Sequence, residues 1–150
     1  MSEHRAQVDW RRDGGPFDYD SFDRRHRIAF EGGLVMLTGN AAADYGGQGG
    51  AGADPEALFA ASLAACHMLS FLAVAARMRV VVDAYADAPT AFVENDDEGR
   101  LAVTRVVLRP RITFAAEVAA AKRAQMHELA HRNCFVARAV KAQVLIEPPG

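Results

Sequence analysis

The most constraining feature of this sequence is a long apolar stretch from Ala57 to Ala76, in which only Ser62, His67 and Ser70 are clearly polar. A stretch of about 20 such residues must be buried in protein or placed in a membrane. It is rich in alanine rather than leucine, and lipid would penalise a histidine near its middle. We therefore expect a helix buried inside protein and no membrane partner.

The residues before this stretch predict where the helix begins. Asp54 is a good N-cap residue, Pro55 suits the first helical position, and Glu56 suits a first turn, where the helix dipole favours an acid. Apolar residues then occupy every side of the helix through Ala76, a pattern typical of a helix buried on most faces. We expect it to be the central core element.

Chain length and charge limit the class of protein. A chain of 150 residues, 51% of them hydrophobic, predicts one globular domain over residues 23–150, preceded by a flexible arm over residues 1–22. A net charge of -2 provides no field that would attract nucleic acid. The first residues lack the apolar core of a secretory signal, and two cysteines cannot build a disulfide framework, so a cytoplasmic location is expected.

The remaining elements predict an α+β fold with antiparallel sheet. A glycine pair separates two short β-type runs early in the chain, and a mobile glycine-rich loop leads to the long helix. Later runs are β-branched, and an alanine-rich amphipathic segment predicts a second helix. The predicted strands cover residues 27–31, 34–37, 80–83, 101–114 (broken at Pro110) and 142–147, with a turn over 95–99, a helix over 115–131 and a short helix or turn over 135–140.

The chemistry of the chain could reside in its two cysteines, Cys66 and Cys134. An unpaired cysteine inside a core helix is most often a small buried hydrophobic residue, whereas a reactive one needs a nearby cation or hydrogen-bond donor and partial exposure. His127 and His131 precede Cys134 at i and i+4 spacing, but no third metal ligand is evident, so polar residues on a solvated helix face are the favoured interpretation. Taken singly, none of these residues identifies a function.

Taken together, they resemble a known family. The segment from Asp54 to Cys66, DPEALFAASLAAC, resembles the NPE-x-L-x-A-A-x-x-A-A-C helix of the OsmC/Ohr family. The glycines over residues 46–52 resemble that family's lead-in, and Ala130 to Cys134 resembles its second-cysteine segment. The resemblance covers about residues 24–147.

This resemblance implies an intertwined homodimer, in which antiparallel sheets wrap two central helices, and a thiol-dependent peroxidase that needs no metal, haem or nucleotide. Cys66 would attack a small hydroperoxide and become a sulfenic acid, Cys134 would resolve it to a disulfide, and an external dithiol would restore the thiols. An arginine of the cluster Arg24, Arg25 and Arg27, with Arg24 the favoured choice, would hold the thiolate and be oriented by Glu56. Because Glu56 lies about 15 Å of helix rise from Cys66, the two could not touch within one helix, and a long arginine or a partner chain would have to connect them.

Two other hypotheses remain open. The apolar helix also suits a dimeric protein that binds an apolar small molecule in an interface cleft, with the cysteines only lining it. A non-redox thiol enzyme, such as a thioester hydrolase, is the third. His67, directly after Cys66, could tune the thiol, although adjacent helix residues point about 100° apart.

Overall fold

The computed structural model describes residues 3–12, 14–15, 17–30, 36–47 and 52–149. The chain divides into two compact units, Met1–Leu58 and Phe59–Gly150. The described residues form a mixed α+β fold of eight strands in three sheets, with three α-helices and one short 3₁₀ helix. The predicted α+β class is confirmed. No observation tests the predicted boundary between an arm and a domain at residue 22.

The first unit contains a three-stranded antiparallel sheet, in the order β1-β2-β3. These strands are Ala6–Asp9, His26–Phe30 and Met36–Gly39. The predicted pairing of the second and third strands is confirmed, with Ile28 opposite Leu37, while the predicted Gly32-Gly33 turn lies outside the described residues. Strand β1 was not predicted, because its four residues are all exposed and show no alternation of buried and exposed positions.

The glycine-rich segment, expected to be a mobile loop, contains ordered backbone contacts where it is described. A 3₁₀ helix, Ala43–Tyr45, ends at Gly46, whose φ of 82° is the left-handed conformation that glycine adopts without strain. Further along, Ala53 donates to the carbonyl of Thr38 at 2.9 Å and accepts from the amide of Asn40 at 3.0 Å. These contacts fix the chain just before the long helix.

Helix α1, Pro55–Arg77, begins where the sequence predicts. The Asp54 carboxylate accepts a hydrogen bond of 2.7 Å from the amide of Ala57, which is the N-cap interaction expected. By length and composition alone this helix could also cross a membrane, but its buried side chains pack into the protein core. Seven of its residues are buried: Ala60, Leu63, Ala64, His67, Phe71, Val74 and Ala75.

The other side of α1 is uncovered, so the prediction of burial on most faces is wrong for the single chain. Ala61, Ala65, Leu69 and Ala73 are exposed at i, i+4 spacing, and Leu69 is 64% exposed. Such a row forms a ridge along the helix. The described elements of the single chain leave this row of α1 residues uncovered.

The second unit has two sheets. Strand β4, Val82–Ala86, pairs with β7, Arg111–Phe114, in antiparallel orientation. Strands β5, Thr90–Asn95, and β6, Leu101–Leu108, form an antiparallel pair, and the turn predicted over residues 95–99 connects them, except that Asn95 still belongs to β5. The last strand, β8 (Gln143–Ile146), joins β6 in parallel, a pairing that was not predicted.

Two further helices complete this unit. Helix α2 runs over Ala120–Asn133 and α3 over Phe135–Ala139. The predicted start of α2 at residue 115 is wrong, because the amide of Ala115 donates to the carbonyl of Val81 at 3.1 Å and the backbone there still follows the sheet.

Residues of α1 contribute to two hydrophobic clusters in this unit. In one, Leu63 packs with Val106 and Leu108 of β6. In the other, Phe71 packs with Met126 and Ala130 of α2. These contacts set where the middle of α1 lies relative to α2, and so position the two cysteines.

Candidate functional site

The structure brings Cys66 and Cys134 together. Cys66 lies in the middle of α1 and is partly exposed, while Cys134 lies between α2 and α3 and is 1% exposed; both are free thiols. Burial, and after it the interaction with the Cys66 side chain, raise the pKa of the Cys134 thiol to about 11. The Cys66 side chain, on α1, and the Cys134 side chain, between α2 and α3, therefore lie close enough to interact.

The position of Cys134 is set by the helices on both sides of it. Its amide donates to the carbonyl of His131 at 3.2 Å and closes the end of α2. Its sulfur accepts a hydrogen bond of 3.5 Å from the amide of Ala137 and caps the start of α3. The chain is thus held at both sides of the thiol.

The two thiols differ in what they can do. Burial keeps Cys134 in its protonated thiol form at neutral pH, because its pKa is raised well above 7. A buried cysteine that stays protonated is a poor nucleophile, because the thiolate is the reactive form. The partly exposed Cys66 is therefore the better placed of the two to attack a substrate.

His67 is buried directly after Cys66 and forms a pair with His127. Their rings are nearly coplanar, with an interplanar angle of 4° and centroids 5.5 Å apart, and His67 Nε2 lies 3.1 Å from His127 Nδ1. Burial lowers the pKa of His67 to about 4, with the nearby His127 and His131 as smaller causes, and burial also lowers the pKa of His127. Both rings are neutral at pH 7, and the expectation that His127 lies on a solvated helix face is wrong.

Arg24 lies in the first unit, where backbone carbonyls hold its guanidinium. It donates to the carbonyls of Tyr19 at 2.6 Å, Phe22 at 3.1 Å and Gly46 at 3.3 Å. The guanidinium carbon also lies 4.1 Å from the centroid of the Phe22 ring. A Cβ atom at Gly46 would come within 2.6 Å of that carbon, so a glycine is needed there. Arg24 is therefore held in one place with its charge balanced by dipoles rather than by an acid.

Glu56 lines the same cavity as Arg24 in the first unit. This cavity has a volume of about 220 Å³, and His26, Asn40 and Tyr45 also contribute to it. Glu56 Oε2 is buried without a hydrogen-bond partner among the described residues. The structure therefore groups the four predicted residues into two pairs, Cys66 with Cys134 and Arg24 with Glu56. Their catalytic roles stay predictions.

Neither the histidines nor the cysteines form a metal centre in the part of the chain that is described. No group of three or more His, Cys, Asp or Glu side chains there is arranged to hold a metal ion. The burial of His127 was missed because its partner is far away in sequence. A buried histidine pair leaves no local signal that distinguishes it from exposed histidines.

The sequence profile of the OsmC-like protein family matches residues 47–148, which is most of the chain and includes both cysteines and Glu56. The chain belongs to the OsmC-like family. No curated protein sequence matches it significantly. Arg24 lies outside the matched range.

Solved structures of OsmC-like proteins share this fold. An OsmC-like protein of unknown function from Vibrio cholerae is 36% identical, with a TM-score of 0.91 over 99% of this chain and 100% of that one. An organic hydroperoxide resistance protein, OsmC, from Legionella pneumophila is 22% identical, with a TM-score of 0.72 over 99% and 96% of the two chains. The organic hydroperoxide resistance protein OhrB of Bacillus subtilis is 20% identical, with a TM-score of 0.73 over 99% and 98%. At such identities the last two establish the shared fold.

Proposed function

We propose that this OsmC-like protein is a thiol-dependent peroxidase that reduces hydroperoxides through Cys66 and Cys134. The contact between the two thiols carries the proposal. A partly exposed cysteine beside a buried, protonated one has the arrangement that a two-cysteine peroxide reductase needs. Relatives named as organic hydroperoxide resistance proteins share the fold and support a peroxidase role at the level of the family.

The reaction would proceed in three steps. The Cys66 thiolate attacks the terminal oxygen of a hydroperoxide, the O–O bond breaks, and an alcohol leaves once its oxygen is protonated, so that Cys66 becomes a sulfenic acid. Cys134 then gives up its thiol proton to the sulfenic oxygen as its sulfur attacks the sulfur of Cys66, so that the oxygen leaves as water and the disulfide forms. A dithiol reduces the disulfide and regenerates both thiols. Each step needs only the two cysteines, the peroxide and the reductant.

Arg24 and Glu56 are proposed to stabilise the Cys66 thiolate, as the resemblance implies. The unpartnered Glu56 Oε2 supports this, since a buried carboxylate oxygen is stabilised by a guanidinium donor. We further propose that the working protein is a homodimer, supported by the uncovered apolar ridge of α1. A cytoplasmic location is part of the same proposal, because a reducing compartment keeps the thiols available.

Peroxide consumption tests the proposal. With dithiothreitol as reductant, the native chain should turn over an organic hydroperoxide and Cys66→Ser should fall to the uncatalysed rate. Cys134→Ser should accumulate a sulfenic acid at Cys66. Arg24→Gln should slow the oxidation of Cys66, and Arg138→Gln, on exposed α3, is the control for charge. Equal rates in the native chain and Cys66→Ser would refute the proposal.

Mass spectrometry separates this function from simple ligand binding. After one equivalent of peroxide, a disulfide between Cys66 and Cys134 supports catalysis. An unoxidised Cys66 would favour the second hypothesis, a dimeric protein that holds an apolar molecule. Hydrolysis of thioesters without any oxidation would instead favour the third.

A further inference from the structure

The second unit contains a cavity that the thiol chemistry does not use. It has a volume of about 490 Å³, which is within the usual range for small-molecule sites. Neither cysteine lines it. The described residues that line it come from β7, α2 and the end of the chain: Pro110, Arg111, Ile112, Phe114, Ala120, Arg123, Ala124, His127, Pro148 and Pro149.

The charged residues of this cavity all have the same sign. Arg111 and Arg123 line it, and none of the described residues in its wall is acidic. Neither guanidinium forms an ion pair or a hydrogen bond with a described residue. Two guanidinium groups at one cavity, with no carboxylate to neutralise them, would favour an anion.

The start of α2 adds to this preference. Ala120, the first residue of the helix, lines the cavity. The N-cap residue, Ala119, provides no side-chain acceptor, and the first turn contains no acidic residue. The amide donors of that turn are therefore not satisfied by a side chain of the helix, and their dipoles attract negative charge.

His127 provides a buried donor in the wall of the same cavity. His127 is 9% exposed, and its Nδ1 is hydrogen-bonded to Nε2 of His67. Its Nε2 makes no hydrogen bond with a described residue, yet it is not among the atoms sealed from solvent, so it faces the cavity that the residue lines. When His67 donates its Nε2 proton to Nδ1 of His127, the neutral His127 ring carries its proton on Nε2. That proton can be donated to an anion.

The rest of the wall is apolar, which limits the class of anion. Ile112, Phe114 and three prolines line the cavity together with the two exposed arginines. Such a lining favours a ligand that has an apolar body and one anionic end over inorganic phosphate, which would remain strongly hydrated. We propose that this cavity binds a small organic carboxylate with an apolar body, whose carboxylate is held by Arg111, Arg123 and Nε2 of His127.

Calorimetric titration of the full-length protein with octanoate tests the proposal. Acetate has the carboxylate without the long alkyl chain, and octan-1-ol has the alkyl chain without the carboxylate. Octanoate should bind at least about tenfold more tightly than either, since charge-assisted hydrogen bonds and apolar burial each contribute on that scale. Acetate or octanol binding as tightly as octanoate would overturn the proposed ligand class.

Variants locate the site. The double variant Arg111→Gln, Arg123→Gln should weaken octanoate binding by about tenfold or more. Arg132→Gln, on the exposed face of the same helix α2, removes one positive charge outside the cavity, as each single cavity variant does inside it, and should leave the affinity unchanged. Equal effects of Arg132→Gln and of the cavity variants would overturn the proposed location.

Nitrogen NMR of the imidazoles gives a second readout. Octanoate should move the chemical shift of His127 Nε2 toward the value of a ring nitrogen that carries a proton. The ring nitrogens of His26, in the first unit, should not shift. Because no cysteine lines the cavity, Cys66→Ser should bind octanoate as the native chain does, so this proposal and the peroxidase proposal can fail separately. The absence of octanoate binding, or binding without a shift at His127, would overturn the proposal.

Discussion

At the scale of the residue, the protonation of the buried His67 should make stability depend on pH. In the folded chain its pKa is lowered from 6.5 to about 4, chiefly by burial. Between these values the unfolded chain binds a proton that the folded chain does not, so the free energy of unfolding should decrease as the pH falls through this window. The slope approaches about 1.4 kcal/mol per pH unit for one proton.

The substitution His67→Phe should reduce the slope of the unfolding free energy against pH by the contribution of about one proton. Urea unfolding from pH 7 to pH 4 measures it, and the slope is the readout because the loss of the hydrogen bond to His127 also changes the stability at every pH. His4→Gln, at an exposed position, should keep the native slope. A slope in His67→Phe that equals the native slope would show that His67 titrates normally.

Residue identity alone predicted part of the site. Glu56 and Cys66 were proposed because they lie in a long local motif, and Cys134 because it ends a second, short motif; their roles stay predictions. The environment of His127 could not be predicted, because its burial depends on His67, which lies on another helix. A contact between distant residues changes the chemistry of a side chain without changing the sequence around it.

At the scale of the element, the start of α1 rests on one side chain. Asp54→Ala removes the acceptor of the Ala57 amide and should lower the free energy of unfolding by about 1 kcal/mol. Asp54→Asn retains an acceptor and should cost much less. Thermal unfolding at a fixed protein concentration measures both, and Asp97→Ala, in the exposed β5–β6 turn, is the control. A loss in Asp54→Asn as large as in Asp54→Ala would assign the effect to charge rather than capping.

Gly46 is the second element-level feature that can be tested. An alanine there would be strained at a φ of 82°, and its Cβ would collide with the Arg24 guanidinium. Gly46→Ala should destabilise the chain by about 1 kcal/mol or more and displace Arg24. Gly99→Ala, in the β5–β6 turn with a φ of 76° and open space around it, would carry the strain without the collision. Peroxidase activity that falls only in Gly46→Ala would connect Arg24 to the reaction; equal activity in both would argue against it.

The helices were more predictable than the pairing of the strands. Capping residues and apolar periodicity are local, so α1 was predicted to within a residue at its end. The parallel pairing of β8 with β6 and the addition of β1 to β2 depend on backbone partners far away in sequence. Local patterns cannot specify such partners, and β1 has no buried side chain to reveal it.

At the scale of the whole molecule, the exposed ridge of α1 predicts self-association. We expect the native chain to sediment as a dimer and Leu69→Glu to sediment as a monomer, because a charge on the ridge would have to be buried in the interface. Leu101→Glu is a matched control, since Leu101 is 65% exposed on β6 and Leu69 is 64% exposed on α1. Sedimentation velocity at several concentrations measures the outcome, and a Leu69→Glu dimer as stable as that of Leu101→Glu would exclude this ridge as the interface.

The sulfur that caps α3 connects the oxidation state of the protein to its mechanics. The Cys134 sulfur that accepts the hydrogen bond from the Ala137 amide is also the atom that would bond to Cys66. Forming a disulfide would therefore displace this sulfur and weaken the hydrogen bond at the start of α3. Oxidised and reduced chains should then differ in how fast the Ala137 amide exchanges with deuterium. The conformation of the five-residue helix α3 would therefore report whether the two thiols are oxidised or reduced.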